Sequence, residues 1–408
     1  MVATEAERVR LVRRSTLLLA GAQVLLWGSL GAFAAFGPIT AFDLTDRESS
    51  AAVMFGVYFL VAAGAARVAG RAMDRWGRRP GLAVGHAGLA AGGALAAVAA
   101  AVDSYALFLA SAVVAGGGVG PAQLGRAAVA DLYPPEQRGR AIGTVLVAGT
   151  IGAVAGPLAA GVLHSAAREI GWSEPLVAPW LLMPLLSSVA LALVLALRPD
   201  PRDLAVEGTV DGAGRSPGEI LRLRPGLVAA ATVAAAQAVM VTFMGVVPVV
   251  LHAHGTPEVT VSLVVSLHLA GMFALSPVVG VALDRWGRRA GLAGGAGLLA
   301  AGVLLSLVTG VWLPALGLFL VGVGWSAAYL GSTALVSDLS GPAERAGAVG
   351  LTDLVAYLAA AIGVLAGAGV LEVSGISALV IGALVLLGAA MSLMLWLRDP
   401  ARPVATGG

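Results

Sequence analysis

The chain has 408 residues; 58% are hydrophobic and 12% are charged, the net charge is +2 and the mean hydropathy is +0.91. Soluble domains carry about 25% charged residues, so a water-soluble fold is excluded and lipid must be the solvent for this much apolar surface. The small net charge speaks against a nucleic-acid partner, and the absence of cysteine removes disulfide and thiol chemistry.

An arginine-rich start (Arg8, Arg10, Arg13, Arg14) leads into apolar runs. Spans of about 20 residues suffice to cross a bilayer, and the first half is predicted to supply six, at 16–41, 52–70, 82–102, 105–129, 141–163 and 177–197. The first is read as a retained helix, not a signal peptide, because no small-residue cleavage site and soluble remainder follow it. A polar stretch rich in Asp, Gly and Arg runs from Arg198 to Arg224. Six more spans are predicted at 226–251, 259–282, 291–309, 312–336, 347–371 and 375–397. The expected domains are thus 1–199, a cytoplasmic linker at 200–224, and 225–408. All basic residues are arginine; with both termini inside, only Arg47 and Arg168 fall on the outer side. One missed span would invert everything after it, so this asymmetry supports twelve crossings in a cytoplasmic, or inner, membrane.

Thirteen residues occur twice. Gly70 to Leu82 and Gly280 to Leu292 share ten identical positions, including Asp74-Arg75-Trp76-Gly77-Arg78-Arg79 and Asp284-Arg285-Trp286-Gly287-Arg288-Arg289. A second pattern, D-L-x-x-P-x-x-R-x-x-A-x-G, starts at Asp131 and again at Asp338. Repeats in the same register of each half predict two parallel six-helix bundles related by an axis along the membrane normal.

The pattern G-x-x-x-D-R-x-G-R-R between the second and third spans resembles the signature loop of the major facilitator superfamily of secondary transporters, with a repeat between the eighth and ninth. The resemblance covers essentially the whole chain. It implies an all-α fold of twelve transmembrane helices that works by alternating access. It also implies a gate on the inner side, in which Asp74, Arg75 and Arg78 act with Asp131, and Asp284 and Arg288 with Asp338. The alternative is that these arginines only fix topology. The fifth span reads Gly143-x8-Gly152-x3-Gly156-Pro157-x2-Ala160-Gly161, similar to the family's antiporter signature with Ala160 in place of a glycine. Small residues packing against a neighbouring helix would give the same pattern.

Ionisable residues inside spans are functional candidates. For Asp353, about one turn into the eleventh span, the resemblance implies a gate role by pairing with Arg71 or Arg75 of the first signature loop; the alternatives are a proton carrier or a structural anion at a helix N-terminus. His268, in the eighth span, is the other candidate for proton coupling, the alternative being a hydrogen bond to a neighbour. Arg126 is read as a local partner of Asp131. His86 and His164 carry less. The resemblance places a central cavity between the first, fourth, seventh and tenth spans. Their polar and aromatic residues, Gln23, Trp27, Gln123, Gln237, Thr242, Phe243, Trp325, Ser326 and Tyr329, are the candidates for binding substrate, with bonding to neighbouring helices as the alternative. So few intramembrane charges suggest a neutral or weakly polar solute.

No nucleophile or metal set supports an enzyme, and no cofactor is expected. The expected function is proton-coupled efflux of a small neutral or amphipathic compound by a monomer in the lipid bilayer. Uptake or uniport of a small metabolite, or a transporter-like sensor, are the alternatives.

Overall fold

The computed structural model describes residues 5–204 and 215–395. The first half contains α1 (Glu5–Asp43), α2 (Ser49–Trp76), α3 (Arg78–Ala101), α4 (Tyr105–Ala122), α5 (Gly125–Asp131), α6 (Pro135–Glu169) and α7 (Val177–Leu195). A short α8 (Pro217–Arg222) precedes α9 (Arg224–Ala253), α10 (Glu258–Phe273), α11 (Ser276–Trp286), α12 (Arg288–Leu305), α13 (Trp312–Asp338) and α14 (Pro342–Met394).

Ten stretches among the described residues are long and apolar enough to cross a membrane. Two of them consist of paired helices: α4 with α5, broken beside Gln123, and α10 with α11, broken just before Pro277. The break at each is a departure from the continuous spans expected; Pro277 accounts for the second, since it removes a backbone donor and crowds the preceding turn, whereas the first falls two residues after Pro121. The 53-residue α14 contains two crossings. It reverses at Gly375, whose φ of 75° suits a residue without Cβ, so that Leu379 packs back against Gly367. The remaining crossing is α12, eighteen residues opened by Arg288 and Arg289. The total is twelve, in two parallel six-helix bundles. The first helix starts eleven residues before the predicted span, because the arginine-rich segment continues the same helix beyond its apolar part.

The duplicated loops adopt the same backbone shape. Gly77 (φ 102°, ψ 165°) and Gly287 (φ 89°, ψ 160°) each end one helix and begin the next. Asp200 accepts hydrogen bonds from the backbone N–H groups of Arg78 (3.0 Å) and Arg79 (2.9 Å), placing a carboxylate at the positive end of α3. At the linker, Arg215 binds Glu344 at 3.0 Å, and this guanidinium with the Gly341 and Arg215 backbone N–H groups holds the carboxyl at about 2.

Helix contacts in lipid depend on close packing because lipid is as apolar as the side chains. Accordingly α3 and α4 meet backbone to backbone through Gly88 and Gly118, and α12 and α13 do so through Gly302, Gly317 and Gly324. The two halves meet at the arginine-poor end, where Gly56 faces Leu365, and Gly161 faces Ser262. Ser266 donates to the Val154 carbonyl at 2.9 Å. Of the described ion pairs that join the halves, all but one lie at this end: His252 to Asp43 (2.9 Å), Glu258 to His164 (3.7 Å) and Arg168 (3.5 Å), and Arg47 to Glu372 (4.0 Å), with Glu258 also 3.8 Å from His252 inside the second half.

Candidate functional site

Between the halves lies a cavity of about 190 Å³, a size for a small organic molecule and not a peptide. It is sealed on one side by the arginine-poor contacts described above. Seven of the nine residues expected on its wall are there: Gln23, Trp27, Gln123, Gln237, Trp325, Ser326 and Tyr329. Thr242 and Phe243 are not. Thr242 donates to the Ala238 carbonyl (2.7 Å) and packs against Gly367; Phe243 is fully buried beside it. Both point from α9 away from the cavity, whereas Gln237, Met240 and Met244 line it.

The wall is aromatic. Nine of the chain's twenty-two aromatic residues line it. One run joins Trp27 to Phe273 (4.5 Å between ring centres), Phe273 to Trp325 (6.1 Å) and Trp325 to Tyr329, the last two stacked at 5.0 Å and 14°. A second contains Phe33 on Tyr58 (4.6 Å, stacked) and Phe59 on Tyr357 (6.0 Å, stacked). The α2 members lie outside the first, fourth, seventh and tenth spans expected to form the wall. They were nevertheless visible as Phe55, Tyr58 and Phe59, spaced to share one helix face.

The cavity's charges form one compact group. Arg126 of α5 donates to Asp353 of α14 at 2.7 Å and to the Tyr329 hydroxyl of α13 at 3.2 Å, and that hydroxyl donates to Asp353 at 2.8 Å. Beside it, Tyr357 donates to Gln123 at 3.2 Å. The ion pair crosses from one half to the other on the arginine-rich side of the cavity. Two expectations change here. Asp353 pairs with Arg126, not with Arg71 or Arg75, and Arg126 does not pair with Asp131. The Asp131 carboxylate is taken by Arg78 at 2.7 Å.

In the second half Arg288 reaches Asp284 (2.7 Å) and Asp338 (3.2 Å). These loop pairs therefore stand within each half, tying α3 to α5 and α12 to α13. Arg75 is exposed, with its guanidinium 5.9 Å from the Trp76 ring centre. The side chain of Asp74 lies outside the described residues.

His268 is enclosed between α10 and α13, off the cavity wall, with Nδ1 2.7 Å from the Leu318 carbonyl. A proton on this ring has no open path from the cavity, so the geometry favours the hydrogen-bonded alternative. In α6, Gly152 and Gly156 bring its backbone against α1 at Val24 and Gly28, where a Cβ would overlap main chain, and Pro157 fits over Gly31. Gly161 sits across the junction of the halves, and Gly143 has open space. Among the described residues no cluster of three or more metal-ligating side chains occurs.

Comparison with known proteins agrees with this architecture. The family model for the Major Facilitator Superfamily matches residues 19–252 and 227–407. The chain is 33% identical to the uncharacterized MFS-type transporter YdeG of Bacillus subtilis, over 97% of this chain and 93% of that one. It is 27% identical to the riboflavin transporter RfnT of Brucella anthropi, over 85% and 86%. Among solved structures, a point mutant of the nucleoside transporter NupG superposes with a TM-score of 0.73 at 14% identity, covering 94% of this chain and 98% of that one. The xylose transporter XylE of E. coli, in a partially occluded inward-open conformation, gives 0.68 at 15%, covering 96% and 99%. The repeated loops, the parallel bundles and the central cavity are those of a multi-pass membrane transporter, and the chain belongs to the major facilitator superfamily.

Proposed function

We propose that the protein is a proton-coupled exporter of a small neutral or amphipathic compound, working as a monomer in the bacterial cell membrane by rocking of residues 1–199 against 225–408 about the cavity. Both termini and the linker at 200–224 are cytoplasmic, as the positive-inside distribution favours. The conformation is then inward-facing, with the outer end shut. Gln23, Trp27, Gln123, Gln237, Trp325, Ser326 and Tyr329 bind the solute. The loop pairs Arg78–Asp131 and Arg288–Asp338 hold the inner helix ends of each half as rigid units, with Asp74, Arg75 and Asp284 in the same loops. The α6 glycines brace α1 against α6 and let the halves close at Gly161.

The observation that carries this reading is the Arg126–Asp353 pair. In a cavity otherwise lined by neutral groups, a carboxylate bonded to the opposite half links protonation to closure. A proton on Asp353 cancels its charge, weakens the strap and lets the inner end move. Asp353, not the enclosed His268, is therefore the proton site. The Brucella relative, named for riboflavin transport, supports a small organic solute.

Everted membrane vesicles test the reading with chloramphenicol as the neutral amphipathic probe. An imposed pH gradient, acid inside, is expected to drive its accumulation, and nigericin to abolish it. Asp353→Asn is expected to lose gradient-driven accumulation while retaining probe exchange. Accumulation insensitive to nigericin, or full gradient dependence in Asp353→Asn, would remove proton coupling at this residue.

A further inference from the structure

The chain contains four glutamines and no asparagine, and three of the four, Gln23, Gln123 and Gln237, line the cavity. Side-chain carboxamides are therefore almost confined to this one place, at a depth where an unbonded amide is costly. Their bonding is lopsided. The Gln237 oxygen accepts from Trp325 Nε1 at 2.5 Å and the Gln123 oxygen accepts from Tyr357 at 3.2 Å. With the two oxygens engaged, each of these wall residues keeps an NH2 donor beyond those bonds. Gln23 is 5% exposed and makes no side-chain hydrogen bond among the described residues. The wall thus offers amide N–H donors at all three glutamines, and a carbonyl free of any such bond only at Gln23.

Shape and charge narrow the partner further. The stacked Trp325–Tyr329 pair and the Trp27–Phe273 contact present ring faces from both halves, which receive a flat π-system by offset stacking. Among the described residues of the wall, the one cation and the one carboxylate neutralise each other at 2.7 Å. A charged solute would lie in this low-dielectric space without a counter-ion of its own.

We infer that the cavity selects flat, uncharged heteroaromatic compounds that carry carbonyl or ring-nitrogen acceptors along one edge, with the ring face stacked on Trp325 and the edge read by the amides of Gln23 and Gln237. The inference rests on the cavity being the transport site, and it adds the chemical class. A sugar has the acceptors without the π-face. A flat dye cation has the face, but its charge has no free partner.

Binding to the purified protein in detergent, with no membrane and no gradient, separates this inference from the transport reading. The probe is lumichrome, a neutral tricyclic with two carbonyls and ring nitrogens whose own fluorescence reports stacking. Addition of protein is expected to quench it saturably and to raise the melting temperature. Ethidium, 1-pyrenesulfonate and glucose are expected to bind at least tenfold more weakly. Gln23→Leu and Trp325→Ala should each weaken lumichrome at least tenfold, Trp325→Ala also removing most of the quench; Trp325→Phe should retain part of it. Size-exclusion profiles show which variants are folded, and if Trp325→Ala is not, Gln23→Leu and Trp325→Phe carry the test. Failure of lumichrome to bind, equal binding of ethidium or glucose, or unchanged affinity in folded Gln23→Leu would overturn the inference. Binding as expected, without gradient-driven movement in vesicles, would leave the class standing and remove the efflux mechanism.

Discussion

Arg126 shows how a single side chain can be conspicuous in a sequence while its partner is not. Its nearest acid along the chain is Asp131, but residues five apart on a helix point about 140° from each other, and Arg78 already occupies that carboxylate. The actual partner, Asp353, lies 227 residues away on the other half. Asp353 itself was legible as a lone acid in an apolar run. The pairing was not, because it depends on how two bundles face each other and no local pattern encodes that. Its worth can be measured. Breaking a fully buried pair costs about 3–5 kcal/mol by stranding one charge. Here the side chains are 31% and 15% exposed to the cavity, so Arg126→Ala is expected to cost about 1–3 kcal/mol and to lower the melting temperature in detergent. Adding Asp353→Asn should recover most of that loss, because it removes the stranded carboxylate. If the double variant melts no higher than Arg126→Ala, the pair contributes little and Arg126 acts through its packing alone.

At the scale of single helices, the twelve crossings, their order and the repeated turns follow from apolar runs punctuated by arginine and glycine, which is why they are visible without a structure. Helix faces are harder to read. Thr242 and Phe243 stand on the same helix as Gln237, but Thr242 projects toward α14 and Phe243 is buried off the cavity wall, and in a helix buried almost all round no hydrophobic stripe reveals which side faces the cavity. The glycines of α6 are intermediate. Their spacing is plain, yet it cannot say which of them touch a neighbour. Coordinates separate them: Gly152 and Gly156 abut the α1 backbone, while Gly143 faces open space. Gly143→Ala is therefore expected to be neutral or slightly stabilising, since alanine favours a helix by about 1 kcal/mol. Gly152→Ala or Gly156→Ala should force α1 and α6 apart at a cost of about 1–3 kcal/mol. The comparison is made by melting temperature and by the yield of monodisperse protein. Equal losses at all three positions would mean that the motif acts as a unit and not through close contact.

For the molecule as a whole, the balance between its two closures is what can make it work, and one closure is set by few groups. At the arginine-poor end Glu258 alone faces His164, Arg168 and His252, while His252 also faces Asp43. Apart from Glu258–His252, which links α10 to α9, these contacts join α6 and α1 of one half to α10 and α9 of the other. Coupling of this kind typically shifts a two-state balance by about 1–3 kcal/mol, so removing it should open that end measurably. The absence of cysteine makes the measurement clean, because any introduced thiol is the only one. Ser262 is fully buried beneath this cluster, opposite Gly161, and differs from cysteine by one atom. In Ser262→Cys a membrane-impermeant maleimide is expected to react slowly, since the thiol is covered whenever the end is shut. Adding Glu258→Gln removes the anion that three cations or imidazoles share, and labelling should speed up about five- to a hundredfold, the range that corresponds to 1–3 kcal/mol. Acid should act in the opposite sense on the unsubstituted cluster. A protonated imidazole facing two carboxylates adds ionic contacts that a neutral one lacks, so labelling, divided at each pH by the rate of a free thiol to remove the loss of thiolate, should slow as the pH falls from 8 to 5.5. That slowing should be largely lost with Glu258→Gln, because His164 then has no carboxylate and His252 keeps only Asp43. Labelling that is indifferent to Glu258→Gln would assign closure of this end to the apolar contacts of Gly56 with Leu365 and Gly161 with Ser262 alone.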